Sequence, residues 1–157
     1  MADQDLTSIS KKNLKKIISE GNLNALISSE EGVAFFNSYL NDKPDFNKYW
    51  TFYNSASEIA ANFENKEQHL CLIKQCFQKQ IATGADSDYR IDGCLSRSIV
   101  DNLSKSINKG DSDKLQETFK SLKDSAFDHL NQQVFLHLIP EFNKEYNCRR
   151  NKSCDLS

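Results

Sequence analysis

The side chains best suited to chemistry in this sequence are its histidines and cysteines, which are common ligands of zinc. They are His69, His129, His137, Cys71, Cys76, Cys94, Cys148 and Cys154. Zinc ligands usually come in closely spaced pairs, but the sequence has no Cys-x-x-Cys and no His-x-x-x-His pair. We therefore predict no metal site and expect the histidines on helix surfaces or at interfaces.

An acidic segment over residues 82–93, ATGADSDYRIDG, alternates aspartates in the manner of a calcium-binding loop. The match fails because Arg90 occupies the fifth position, Ile91 stands where the turn needs glycine, and Arg97 replaces the final glutamate. We predict a solvated acidic loop instead. Irregular segments of this length inside a domain are often functional, so the loop is a candidate binding site.

Nucleophilic catalysis needs a thiol or a hydroxyl beside a general base. The sequence has no G-x-S-x-G motif and no glycine-rich phosphate loop. Cys71 and Cys76 fall within a predicted helix, where we expect them to pack. We predict that the chain is not an enzyme with its own active site and that it uses no cofactor.

The charge balance of the chain limits its classes of partner. The 157 residues include 20 Lys and Arg against 22 Asp and Glu, and the two signs are interleaved. A nucleic-acid binder usually has a basic face, so nucleic acid is not an expected partner. No apolar run approaches the ~20 residues that cross a bilayer, and the beginning of the sequence lacks the features of a secretory signal. We predict a cytoplasmic protein without an integral membrane segment.

The odd number of cysteines, 5, fits free thiols in a reducing compartment. The basic tail, with Arg149, Arg150 and Lys152 between Cys148 and Cys154, is compatible with peripheral membrane association. A solvated chain end is the simpler interpretation of this tail.

The spacing of apolar residues predicts an all-α fold. With only 5 Gly and 2 Pro and no sustained apolar–polar alternation, the sequence favours long helices. The most aromatic stretch runs from Asp45 to Phe63, and its apolar residues recur at helical spacings of three and four. They are Phe46, Tyr49, Trp50, Tyr53, Ala56, Ile59, Ala60 and Phe63. We expect the other helices to pack against this one.

The remaining helices are predicted from apolar stripes, from capping residues such as Ser29 before two glutamates, and from glycine stops at Gly21 and Gly110. We expect them at residues 10–20, 29–40, 66–81, 95–109, 112–131 and 134–142, with a break at Gln132 and Gln133. The domain boundaries that follow are a flexible leader at 1–9, a helical domain at 10–146 and a flexible tail at 147–157.

The order of the helices and the motifs within them resemble the regulator of G-protein signalling (RGS) domain family. Glu31, Gly32, Phe36 and Leu40 suit the family's first motif, Tyr49 and Trp50 the second, and Phe77, Ile81, Ala85, Tyr89, Ile91 and Asp92 the third. The resemblance covers about residues 23–146. It implies an RGS-like helical bundle of about nine helices in two subdomains, which engages the switch regions of a G-protein α subunit.

The resemblance also implies which positions contact a partner, in three regions at one end of the bundle. Members that accelerate GTP hydrolysis provide no catalytic base; they hold the switches and the α subunit's own glutamine in the transition-state arrangement. In the first region, Asp45 matches the family's acidic residue. Phe46 falls where the family has an asparagine, and only a one-residue shift would put Asn47 there.

The second and third regions differ more from the family. The second comprises Tyr89, Arg90, Ile91 and Asp92, with Arg90 at the asparagine that touches the α subunit's glutamine. In the third, His129, Gln133, Val134 and His137 replace the family's leucine, aspartate, serine and arginine. The scaffold positions agree with the family, whereas the contact positions do not.

We therefore expect an RGS-like protein-interaction domain in G-protein signalling, with weak or no GTPase-activating activity. Its partner would be a G-protein α subunit or another signalling protein. One alternative is an active GTPase-activating protein for a divergent α subunit, in which Arg90 acts as a substitute donor near the transferred phosphate. A second alternative is an unrelated helical adaptor.

Overall fold

The computed structural model describes residues 6–156 and the side chains of residues 6–150. The α-helices are α1 (Lys11–Glu20), α2 (Leu23–Ile27), α3 (Glu30–Leu40), α4 (Pro44–Ala61), α5 (Lys66–Gln80), α6 (Arg97–Lys109), α7 (Ser112–Leu130) and α8 (Leu136–Leu156). Two 3₁₀ turns lie at Leu6–Ser8 and Asp92–Cys94, and a π-helical segment lies at Asn131–Phe135. Because no strand occurs in residues 6–156, the predicted all-α fold is confirmed. The arrangement of about nine helices stays a prediction.

The chain divides into two compact units. The first unit contains the described residues up to Lys43 and those from Leu130 onward. The second unit is continuous from Pro44 to His129. Helices α1–α3 and α8 therefore belong to the first unit, and α4, α5, α6 and nearly all of α7 belong to the second.

The core of the first unit forms where its amphipathic helices bury their apolar faces. Helix α1 begins after Ser10, whose hydroxyl accepts a hydrogen bond from the backbone N–H of Asn13 at 3.2 Å. The fully buried side chains of this unit include Leu14, Ile17, Leu23, Leu26, Phe36, Leu40, Phe135 and Phe142. The ring centroid of Phe142 lies 6.0 Å from that of Phe35 and 5.7 Å from that of Phe135. These contacts seat α8 in the core that α3 helps to form.

Both ends of the described chain differ from the flexible leader and tail expected at 1–9 and 147–157. Ile9 is completely buried, and the guanidinium of Arg149 donates to the carbonyl oxygens of Leu6 and Ile9 at 2.5 Å each. The same guanidinium donates to Glu145 at 2.6 Å. Residues 6–9 and Arg149 are therefore part of the packed first unit. Residues 1–5 lie outside the described part of the chain.

The predicted break at Gln132 and Gln133 is instead a π-helical segment, after which α8 continues past Pro140 to Leu156. The last helix is therefore longer than the expected 134–142. Sequence patterns do not distinguish a π segment from a helix end, because each only disturbs the 3.6-residue apolar period. Single-turn π segments are frequent at functional sites.

Helix α4 carries the aromatic core of the second unit, as its apolar stripe predicts. It buries Tyr49, Trp50, Phe52, Ala56 and Ile59. Phe52 is completely buried and stacks on Phe119 of α7 at 6.1 Å between ring centroids. Phe52 is not among the residues named in the predicted stripe, although at about 100° per residue it lies on the same face of α4, between Ile59 and Phe63.

The helices after α4 begin and end at identifiable caps. The side chain of Asn65 accepts a hydrogen bond from the backbone N–H of Gln68 at 3.2 Å and so caps α5. Helix α6 ends at Gly110, whose φ of 68° is left-handed; its N–H and that of Asp111 donate to carbonyls in the last turn of α6. Only Gly110 and Asp111 separate α6 from α7.

His69 is completely buried on α5, so the expectation of a surface or interface histidine is wrong at this position. Its Nδ1 lies 3.1 Å from the hydroxyl of Ser112, and the edge of its ring meets that of Phe63 at 5.2 Å between centroids. Burial lowers the pKa of His69 below its ordinary value, which favours the neutral ring.

No helix in the described part of the chain is long and apolar enough to cross a membrane. This agrees with the predicted lack of an integral membrane segment.

Gly32 allows α2 and α3 to approach closely, because a Cβ at this position would overlap the backbone carbonyl oxygen of Leu26. We expect Gly32→Ala to reduce the free energy of unfolding by at least about 1–3 kcal/mol, measured by chemical denaturation. Gly84→Ala is the matched control. A Cβ at Gly84 meets no atom within 4 Å, so its effect should stay within about 0.5 kcal/mol. Equal stability of the two variants would contradict the close approach.

Candidate functional site

The first predicted contact region lies in the first turn of α4. Asp45 is exposed, whereas Phe46 and Asn47 are half-buried. The ring of Phe46 lies 6.5 Å from that of His129, measured between centroids. The first turn of α4 thus presents a carboxylate to solvent beside a partly covered aromatic ring.

The second predicted region is a loop whose arginine is held by the loop itself. Arg90 Nε donates to the carbonyl oxygens of Ile81 and Ala82, at 3.0 Å each. Arg90 Nη1 donates to a carboxylate oxygen of Asp92 at 2.5 Å. Only 22% of the Arg90 side chain is exposed. Because three hydrogen bonds fix its guanidinium, Arg90 stabilises the conformation of the loop.

Lys48 joins this loop to α4. Its ammonium donates to the carbonyl oxygen of Ser87 at 3.3 Å and lies 3.8 Å from the carboxylate of Asp92. Only 12% of the Lys48 side chain is exposed, compared with 51% for Asp92. The partly exposed carboxylate of Asp92 is therefore shared by two cations, Lys48 and Arg90.

Tyr49 brings the loop and the end of α7 together. Its hydroxyl oxygen accepts a hydrogen bond from the backbone N–H of Gly93 at 2.8 Å, and its ring stacks on His129 with centroids 4.0 Å apart. A Cβ on residue 93 would lie 2.6 Å from this hydroxyl, so the bond requires glycine there. Burial raises the pKa of Tyr49, and the phenol is therefore neutral at ordinary pH.

His129 is the one residue of the third predicted region that lies in this cluster. Burial lowers the pKa of its imidazole, and the nearby positive charge of Lys48 lowers it further. The cluster formed by Phe46, Lys48, Tyr49, Arg90, Asp92, Gly93 and His129 lies wholly within the second unit. We call it the α4–loop cluster.

The other residues of the third predicted region belong to the first unit. Gln133 is exposed in the π-helical segment, and Val134 beside it is 3% exposed. His137 is exposed at the start of α8, where it lines a surface cavity of about 620 Å³ with Tyr39 and Glu141.

Two of the predicted partner-binding residues have their side chains in the interior. Ile91 is completely buried, and Val134 is almost completely buried. Both are apolar, so they gain more from packing than from exposure to water. Their assignment to a contact surface is corrected accordingly. Tyr89 is the opposite case: it is 45% exposed, and the ammonium of Lys79 lies 4.8 Å from its ring centroid.

The sequence patterns did not identify Lys48, Tyr49 and Gly93 as parts of this cluster. The contacts of Tyr49 with Gly93 and of Lys48 with Asp92 join residues more than 40 positions apart, which no local motif records. The available signal was Gly93 itself, since a glycine in a loop often marks the close approach of another group.

The described side chains include no group of three or more His, Cys, Asp or Glu residues arranged to hold a metal ion. Cys71, Cys76, Cys94 and Cys148 are free thiols, and Cys71 is exposed, contrary to the packing role expected for it. Burial raises the pKa of Cys76 to about 12 and that of Cys94 to about 11. These two thiols are therefore protonated near neutral pH and are weak nucleophiles.

Comparisons with protein-family models, with curated proteins and with solved structures find no match for this chain. The functional inference therefore depends on the resemblance in sequence and on the geometry of the α4–loop cluster.

Tyr49→Phe tests the hydrogen bond to Gly93 while keeping the aromatic ring. We expect the free energy of unfolding to fall by about 0.5–1.5 kcal/mol, because the buried acceptor is lost. The Gly93 amide should also exchange its hydrogen faster with solvent, as NMR would measure. Unchanged exchange at Gly93 would contradict the assigned bond.

The lowered pKa of His129 makes stability depend on pH. The unfolded chain binds a proton at His129 more readily than the folded chain does, so protonation lowers the free energy of unfolding. The stabilisation that the neutral imidazole provides is therefore complete above the unfolded pKa, near 6.5. It is lost as the pH falls through that value towards the folded pKa.

Lys48→Gln should raise the pKa of His129 by removing the nearby positive charge. An NMR titration of the imidazole would measure this, with His69 as the internal control whose pKa should not change. A fall in the pKa of His129, or no change, would contradict the contribution of Lys48.

Proposed function

We propose that this chain is an RGS-like protein-interaction domain in G-protein signalling with weak or no GTPase-activating activity. The observation that carries the proposal is the position of Arg90. Its guanidinium is bound by the loop at the position where the resemblance implies a free amide that contacts the α subunit's glutamine.

The helical composition and the division into two units support the RGS-like part of the proposal. The resemblance implies a helical bundle with two subdomains, and the described chain has two compact units built from helices. The three predicted contact regions also have members in one cluster, since Phe46, Arg90 and His129 all belong to the α4–loop cluster. These features suit a domain that presents a loop-based contact surface.

We propose weak or absent stimulation of GTP hydrolysis because Arg90 would first have to break its bonds within the loop. To approach a phosphate on a partner, its guanidinium would have to leave the carbonyl oxygens of Ile81 and Ala82 and the carboxylate of Asp92. Two of these acceptors are backbone groups that would need new partners. The carboxylate would also remain close to the phosphate and repel it. The arrangement therefore favours binding over stimulation of catalysis.

A protein contact at this surface is supported by the exposed groups around the cluster. Asp45, Tyr89 and Asp92 are exposed, and tyrosine is among the residues that contribute most to protein–protein binding. The loop that carries two of them is already fixed by Lys48 and Arg90, so less freedom is lost when a partner binds.

Single-turnover GTP hydrolysis by G-protein α subunits of the same organism would test the activity. We expect the rate to be nearly unchanged by the domain, whereas a catalytic arginine typically contributes roughly 10³–10⁵-fold. Arg90→Ala should leave the rate as it is. Acceleration that Arg90→Ala abolishes and that the exposed control Arg97→Ala keeps would establish the active alternative.

Binding should be measured in parallel, by calorimetry with the α subunits in their GDP, GTP-analogue and transition-state-analogue forms. We expect at least one form to bind. Binding in none of these forms would contradict the proposal and favour the unrelated helical adaptor.

A further inference from the structure

Helix α1 in the first unit has a face made of lysine side chains. This lysine face consists of Lys11, Lys12, Lys15 and Lys16, all of which are exposed. On a regular helix they cover about 140° of the circumference and about 7.5 Å of the axis. Leu14 and Ile17 lie on the opposite side and are completely buried. The lysine face therefore points to solvent while the apolar side of α1 packs into the unit.

Few acidic residues lie beside these lysines along the described part of the chain. Between residues 6 and 27 the only acidic residue is Glu20, which lies 3.9 Å from Lys16 with both side chains about half exposed. At the start of α1 the carboxylate of Glu31 accepts hydrogen bonds from the Ser10 N–H and the Asn13 amide. The positive charge on this face contrasts with a chain whose net charge is -2.

From this geometry we propose that the lysine face docks on a membrane surface that contains anionic lipids. A cluster of four or more basic residues beside one another is sufficient to attract acidic headgroups. Lysine places a mobile point charge on a flexible stem, which suits laterally mobile headgroups better than a partner of fixed geometry. The proposal concerns the first unit and does not depend on the proposed function.

The residue types on the lysine face make an acidic protein or a nucleic acid a less suitable partner than a membrane. Protein interfaces are depleted in lysine and depend on aromatic or apolar anchors, but Leu14, the apolar residue between these lysines, is completely buried in the unit. Binding to nucleic acid commonly adds arginine contacts or aromatic stacking to the charge, and the face has neither group. A membrane surface requires only the charge.

The mode of binding follows from the burial of Leu14 and Ile17. A helix that inserts into a membrane needs an exposed apolar side, but here that side is in the core. The lysine face must therefore bind by charge alone, at the level of the headgroups. Such binding is reversible, and it weakens as salt shortens the range of the electrostatic attraction.

Vesicle sedimentation with the full chain would test the proposal. We expect binding to vesicles of phosphatidylcholine mixed with phosphatidylserine, and none to phosphatidylcholine alone. Binding should disappear at about 1 M salt, where the screening length is near 3 Å. Replacing all four lysines by glutamine should weaken binding by more than about tenfold, since each lysine near the surface contributes roughly fivefold.

Two matched variants separate the lysine face from net charge. The quadruple variant Lys66→Gln, Lys74→Gln, Lys105→Gln, Lys114→Gln removes the same number of exposed charges elsewhere and should keep most of the binding. Replacement of the four α1 lysines by arginine keeps the charge and should keep the binding. Circular dichroism would verify that each variant is folded.

Three results would overturn the proposal. These are equal loss of binding in both glutamine variants, equal binding to neutral and anionic vesicles, and tighter binding to a short DNA duplex than to anionic vesicles at the same phosphate concentration. The last result would identify the face as a nucleic-acid contact instead.

Discussion

The side chain of Tyr49 on α4 joins two other parts of the second unit, the loop that contains Gly93 and the end of α7. Its ring stacks on His129 at the end of α7, and its hydroxyl binds the backbone of Gly93. A single side chain of α4 thereby positions both the loop and a helix end. Lys48, the preceding residue, fixes the loop a second time through Ser87 and Asp92. The candidate surface depends on these two neighbouring side chains more than on any residue that it exposes.

Much of the secondary structure could be predicted from local patterns. Ser29 before two glutamates predicted the start of α3, Gly21 and Gly110 predicted helix ends, and the aromatic stripe predicted α4. Each of these signals acts over a few residues, where backbone geometry and capping are decided. The π-helical segment after α7 was not predicted, because no residue type is specific to it.

Contacts between residues far apart in the sequence could not be predicted, because local patterns extend over only a few residues. From the sequence, Arg149 was predicted to belong to a solvated basic tail. In the fold it donates hydrogen bonds to the carbonyl oxygens of Leu6 and Ile9. Likewise, the sequence does not show that the guanidinium of Arg90 is bound by Ile81, Ala82 and Asp92. A sequence shows which charges exist, but their partners come from chain segments that only the fold brings together. Of the predicted site residues, the fold brings Phe46, Arg90, Asp92 and His129 into one cluster and places the side chains of Ile91 and Val134 in the interior.

The attachment of the loop at Lys48, Tyr49 and Arg90 also has a kinetic consequence. In the proposed function, a loop whose shape is already fixed would need no rare conformation before it binds a partner, so its association rate would be set by diffusion and orientation. A loop fastened at several points by hydrogen bonds and ion pairs should also open seldom, which slows proteolytic cleavage within it. The bonds that hold Arg90 in the loop would thus favour fast association with the proposed partner and slow cleavage of the loop.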